Sequence, residues 1–184
     1  MTDVSPKDAK WNVIEAPRLL PLMLQDSVLA NFEYWGDFVL RIQRDELIRH
    51  PDLQAMFPSS RIPSLLCLRL VNTWLGGEKQ WQKSVENFPW KGTLPIPKEA
   101  PMQAALIMTL LDQRISRVEI SNSGDLRLDF SDERSLTVRG RGGESEFSWL
   151  LELPSDDPDR EDWSIVCESD GQVSCKFPSP HRKN

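Results

Sequence analysis

The chain has 184 residues, 39% of them hydrophobic and 27% charged, with a formal net charge of −6. These values are near the globular average and allow one domain or a compact pair. The opening MTDVSPKDAKW carries acids before any apolar run, and no stretch approaches the ~20 apolar residues of a membrane span, so neither a secretory leader nor a membrane segment is expected and the protein is read as cytoplasmic. Three cysteines without CxxC spacing and only two histidines leave little from which to build a metal site.

In chain order, residues 1–12 read as a loose N-terminal arm. The segment APRLLPLML that follows is interrupted by Pro17 and Pro21. Asp26 is then placed to cap a helix in which Leu29, Phe32, Trp35 (or Gly36), Val39 and Ile42 recur every three to four residues, until Pro51 stops it just after His50. Ser64 offers a cap for SLLCLRLVNTWL, with Gly76-Gly77 as the stop, and a short strand is the competing reading. Residues 78–87 suggest another helix and the proline-punctuated stretch after Phe88 a loop. Pro101 suits a helix start, and MQAALIMTLLDQ is apolar nearly all round, as in a helix buried between layers. Five of the seven tryptophans, Trp11, Trp35, Trp74, Trp81 and Trp90, fall in this first part.

From Gln113 the apolar period changes to two. Val118 and Ile120 are followed by Leu126, Leu128 and Phe130, then Leu136 and Val138, then Phe147, Trp149 and Leu151, then Trp163, Ile165 and Cys167, and finally Val173 and Cys175. This is the pattern of an antiparallel meander of about six strands. The turns Asn122-Ser123-Gly124 and Ser169-Asp170-Gly171 need a glycine in the left-handed region to keep the apolar residues of both strands on one face. That sets Ile120 opposite Leu126 and Cys167 opposite Val173. Cys175 then lies opposite Ile165, and Cys167 and Cys175 are diagonal neighbours roughly 7–8 Å apart, core thiols rather than a disulfide. The expected fold is therefore α+β: a mainly helical part over 13–112 packed on a C-terminal antiparallel β-meander over 113–178, with 179–184 as a disordered tail.

Catalytic chemistry finds few footholds. His50 is set at a predicted helix end, His181 in the terminal tail, and Cys67 within the apolar run SLLCLRL where burial raises a thiol's pKa. RGRGG at 139–143 lacks the strand–loop–helix context of a phosphate loop and reads as a flexible hairpin connection. Acidic neighbours offset its arginines against RNA. Charge is uneven, with 12 basic and 13 acidic side chains over residues 1–112 but 10 and 15 over 113–184. The densest acid is ELPSDDPDRED, containing Asp156, Asp157, Asp159, Glu161 and Asp162. It misses the calcium-loop pattern, having Pro158 in place of a flexible link and no central glycine. As a proline-bounded polar loop it also has no means of desolvating one carboxyl for acid/base work. A solvated connection is the simplest reading, and the functional alternative is a contact surface for a basic partner, where a dense anionic loop speeds association.

The run RISRVEISNSGDLRLDFSDERSLTV, with FSWLLELP and WSIVCESDGQVSCKF after it, resembles small bacterial β-meander domains, several of them encoded beside polymorphic toxins as immunity proteins. The resemblance covers about residues 110–178 and transfers no site residue. It implies an immunity protein that binds a cognate toxin domain. Together with the missing nucleophile and histidine base and the acidic charge, the expectation is a non-enzymatic module without cofactor or metal and with no nucleic-acid or membrane role, whose contact surface is the anionic loop of Asp156, Asp157, Asp159, Glu161 and Asp162. The alternative is a small-ligand-binding or enzymatic domain whose pocket lies between the helical part and the sheet, lined by tryptophans.

Overall fold

In the computed structural model the described residues are 16–44, 64–71, 75–76, 99–142, 144–154, 156 and 164–176. They form two antiparallel sheets and two helices. Strands β1 (Val28–Tyr34), β2 (Phe38–Gln43) and β3 (Leu65–Leu70) join β8 (Phe147–Glu152), β9 (Ser164–Glu168) and β10 (Val173–Lys176) in a six-stranded sheet ordered β1-β2-β3-β8-β9-β10. Between β3 and β8 the chain builds the second sheet, ordered β4-β7-β6-β5, from β5 (Ile115–Ile120), β6 (Leu126–Phe130), β7 (Ser135–Val138) and the two-residue β4 (Leu75–Gly76).

The mainly helical first part is thus overturned. Where a helix from Asp26 to His50 is expected, Asp26 takes a left-handed turn (φ 64°) and the β1–β2 hairpin follows. The physical reason lies in β2, where Phe38, Leu40 and Ile42 are buried and alternate with Val39, Arg41 and Gln43. This period of two competes with the period of 3.6 over the same residues, and aromatic and branched side chains favour it. Gly36, at φ 97°, turns the chain where a continuous helix would have to run. Residues 65–70 adopt the competing strand: β3 lies between β2 and β8, with Leu66, Cys67 and Leu68 all buried, as a central strand permits. The proposed helix over 78–87, the N-terminal arm and the C-terminal tail lie outside the described residues.

Among the described residues two helices do form. The proline-interrupted APRLLPLML is helix α1 (Ala16–Leu24), with Pro21 inside it. Proline removes one backbone donor, but Leu19, Leu20, Met23 and Leu24 are all fully buried, at roughly 1.5–3 kcal/mol for each such side chain. That outweighs the lost bond. Helix α2 (Glu99–Thr109) occupies the expected place near Pro101, but it buries one side only. Ala100, Leu106 and Ile107 enter the core while Met108 is 61% exposed, so it is not sandwiched between layers.

The six expected C-terminal strands exist, but not as one meander. β7 does not pair with β8; the chain crosses from one sheet to the other at residues 139–146. The individual registers are as read: Ile120 pairs with Leu126, Cys167 with Val173 and Ile165 with Cys175. Gly124 and Gly171 take φ values of 78° and 89°. All three cysteines are buried and free.

The apolar faces share one core. Leu40, Leu68, Leu151 and Ile165 of the larger sheet join Ile115, Leu128, Phe130 and Leu136 of the smaller, with residues of both helices. Helix α1 packs against β5 and β10, one strand from each sheet. At one corner the sheets are tied by backbone, through an antiparallel bridge between Val28 and Arg114 and bonds from Ile115 N–H to the Ser27 carbonyl (2.8 Å) and Asp112 N–H to the Leu29 carbonyl (2.9 Å).

A second corner is made of glycines. The Trp149 indole N–H donates to the Gly124 carbonyl (2.9 Å), Asp125 accepts from the Gly140 N–H (2.8 Å), and Ser148 Oγ donates to the Gly140 carbonyl (2.9 Å). Gly140 therefore sits in a tight crossing, and the expected hairpin at RGRGG is corrected, because β7 and β8 belong to different sheets. The two buried polar groups of this corner have the partners that burial demands.

Candidate functional site

Of the expected contact residues, Asp156 is described: it is exposed, in the turn after β8. Asp157, Asp159, Glu161 and Asp162 lie outside the described residues, as do His50 and His181. Asp156 follows Leu153 and Pro154, both buried.

The outer face of the larger sheet carries a polar row. There Arg41, Cys67 and Glu152 stand side by side in register across β2, β3 and β8. Arg41 donates from Nε (2.9 Å) and Nη2 (2.7 Å) to one oxygen of Glu33, and from Nη1 to Cys67 Sγ (3.3 Å). Its pKa is pushed above the usual guanidinium value, first by the hydrogen bond to Glu33, against the opposing effect of burial. The Glu33 carboxyl is correspondingly held down by its bonds to Arg41 and then Trp35. Burial pushes the Cys67 thiol up, against the opposing pull of Arg41, so it stays protonated and is a poor nucleophile at neutral pH. One strand further on, Arg69 pairs with Glu152 at 3.0 Å.

From this row Arg41 reaches Glu33, two residues before the tip of the β1–β2 hairpin, where the most exposed large apolar side chain among the described residues stands. Trp35 is 84% exposed, and Tyr34 beside it 38%. Trp35 is nonetheless held. Its indole N–H donates to the second oxygen of Glu33 (3.2 Å), and its backbone N–H donates to the Asp37 carbonyl (3.1 Å). The Tyr34 ring leans on buried Phe38 (centroids 4.8 Å, 46°), and Phe38 in turn meets Phe32. Glu33 therefore uses one oxygen on Arg41 and the other on Trp35, linking the exposed ring to the charged face. An aromatic fixed in this way gives up little rotamer freedom on contact, as binding anchors should.

Reading β1–β2 as a helix hid this feature by placing Trp35 on an apolar helix face. The available signal was Tyr-Trp-Gly-Asp between two alternating runs, a hairpin pattern carrying large aromatics at the turn.

The smaller sheet offers a different outer face. Arg117 pairs with Glu119 (2.5 Å), Arg127 with Asp129 (2.8 Å), and Arg134 with Asp132. Each of these arginines has its counter-ion two residues away on its own strand or turn. Arg139 and Arg141, at the crossing, are exposed. Among the described residues no group of three or more His, Cys, Asp or Glu side chains is arranged to hold a metal ion, and no helix is long and apolar enough to cross a membrane. The expected pocket between a helical part and the sheet loses its premise, because residues 28–43 are strands of that sheet.

In comparisons with protein-family models, curated proteins and solved structures, nothing matched the chain.

Proposed function

We propose that this chain is a non-catalytic protein-binding module, the immunity partner of a bacterial toxin domain, which it neutralises by occluding a basic surface. The observation that carries the reading is the tip of the β1–β2 hairpin: an 84% exposed Trp35 fastened by Glu33, with Asp37 in the same turn. A solvent-facing tryptophan on a rigid hairpin is costly to leave in water and effective when a partner covers it. Acidic groups around it, with the acidic stretch that begins at Asp156, favour and speed encounter with a basic protein. The sequence resemblance of residues 110–178 to toxin-associated immunity domains supports the same direction. Toxins that act on nucleic acid present basic clefts, and covering one requires no chemistry from the inhibitor.

The test is a pull-down and growth assay with the C-terminal domain of a toxin encoded beside this gene. A tight complex and rescued growth are expected. Reversing the charges at Asp156, Asp157 and Asp159 should slow association and flatten its salt dependence. A toxin neighbour that neither binds nor is neutralised would refute the immunity reading. A complex indifferent to the charge reversals would remove the acidic stretch from the mechanism.

A further inference from the structure

Resting on that partner-binding reading, we propose that Trp35 and Asp37 form a receptor for one arginine side chain of the partner, the guanidinium stacking on the indole while the carboxylate accepts its N–H donors. Four observations converge on this chemistry. The ring is open to an incoming group, with 84% of the residue exposed. It is also oriented, because its N–H edge is tied to Glu33 and its backbone N–H to Asp37. The turn carries carboxylates, Glu33 and Asp37, and the two arginines of this face are already engaged, Arg41 with Glu33 and Cys67 and Arg69 with Glu152. Finally, the turn is uncluttered, since nothing lies within 4 Å of where a side chain at Gly36 would begin, leaving room for another surface to approach.

A cation over an indole is attracted by the ring's negative face, and tryptophan is the strongest such partner. Arginine fits better than lysine because its planar fork can stack and bond a carboxylate at the same time. A second copy of this acidic chain is the wrong occupant, since its own hairpin would meet this one with like charge. An apolar pocket is also disfavoured, because closing over Trp35 would strip water from Asp37 without giving it a partner.

The probe is acetyl-Gly-Arg-Gly-Arg-Gly-amide, with lysine and citrulline analogues, titrated into the full chain while the Trp35 indole N–H is followed by NMR. The resonance is assigned with Trp35→Phe. The arginine peptide should give a saturable shift at Trp35, the lysine peptide a several-fold weaker one, and neutral, planar citrulline none. Asp37→Asn should weaken arginine binding several-fold, and Trp35→Ala, followed through the backbone amides of residues 34–38, should abolish it at an unchanged melting temperature. Equal binding of citrulline and arginine peptides, undiminished binding to Trp35→Ala, or no saturable shift would each overturn the proposal. Its failure is separable from that of the function. If the toxin complex weakens on charge reversal but ignores Trp35→Ala, the receptor is wrong and the immunity reading stands. If no toxin domain binds, that reading falls whatever the peptides do.

Discussion

Two turn regions of this protein use glycine for opposite purposes. At the crossing between the sheets, Gly124, Gly140 and Gly171 are buried and crowd one another: a methyl on residue 124 would lie 2.6 Å from Cys167 Sγ, and one on residue 140 would collide with the backbone of Ser123 and Gly124. At the β1–β2 tip, Gly36 has open space around it and stands beside an exposed tryptophan. The first corner spends its polar groups on internal bonds and holds the sheets together. The second uses few of them internally and presents a ring to solvent. Damage at the crossing should therefore appear as lost stability, and damage at the tip as lost binding.

The largest effect should come from Gly140→Ala, where backbone, rather than a flexible side chain, blocks the added methyl. A loss of about 3 kcal/mol, the upper end of ordinary overpacking penalties, is expected in urea unfolding. A variant as stable as the parent would mean that the crossing is not tightly packed. Next, Trp149→Phe removes the donor to the Gly124 carbonyl from a fully buried side chain. It should cost about 2 kcal/mol through a small cavity and an unpaired acceptor.

Cys167 reports on the same corner through pH. Its sulfur lies 3.5–3.6 Å from the carbonyls of Gly124, Gly140 and Glu168, and its pKa is pushed up to about 12, by burial first and then by the charges of Asp170, Asp125 and Glu168. Because the folded value is raised, the contribution is fully present below the unfolded thiol value of about 8.5 and is lost as pH rises from there toward about 12. Denaturation midpoints measured between pH 8 and 10 should therefore fall more steeply for the parent than for Cys167→Ala. Parallel slopes would place the thiol in a wetter environment than this corner provides. The smallest change belongs to the tip: Gly36→Ala meets no neighbour and loses only the ease of a left-handed φ, about 1 kcal/mol. A loss as large as that at Gly140 would erase the contrast between the two turns.

Much of the fold was legible where a period of two stood alone. Through β6, β7 and β9 buried residues alternate with less buried ones, and the turn glycines Gly124 and Gly171 have the handedness their loops require. Between Leu29 and Ile42 the same residues satisfy both a helical stripe and a strand alternation, and what decides is non-local: β2 is paired on its far side by β3, which pairs in turn with β8. No local window contains that information. The splitting of the expected meander has the same origin, since β7 and β8 carry alternation that says nothing about which sheet each joins. At the candidate site, the acidic stretch was visible by composition, and Asp156 is found exposed there. Trp35 went unrecognised because its role depends on the hairpin, and its tether to Glu33 spans only two residues of a strand that was read as a helix.

The central claim is that a protein partner is held at the hairpin tip, and its most direct test is a hydrogen-exchange footprint of this chain bound to a neighbouring toxin's C-terminal domain. The account predicts new protection over residues 33–37 and around Asp156, with the outer face of β5–β7 unchanged, because its arginines are already matched by carboxylates along their own strands and turn. Protection confined to β5–β7, with residues 33–37 exchanging as in the free protein, would contradict it.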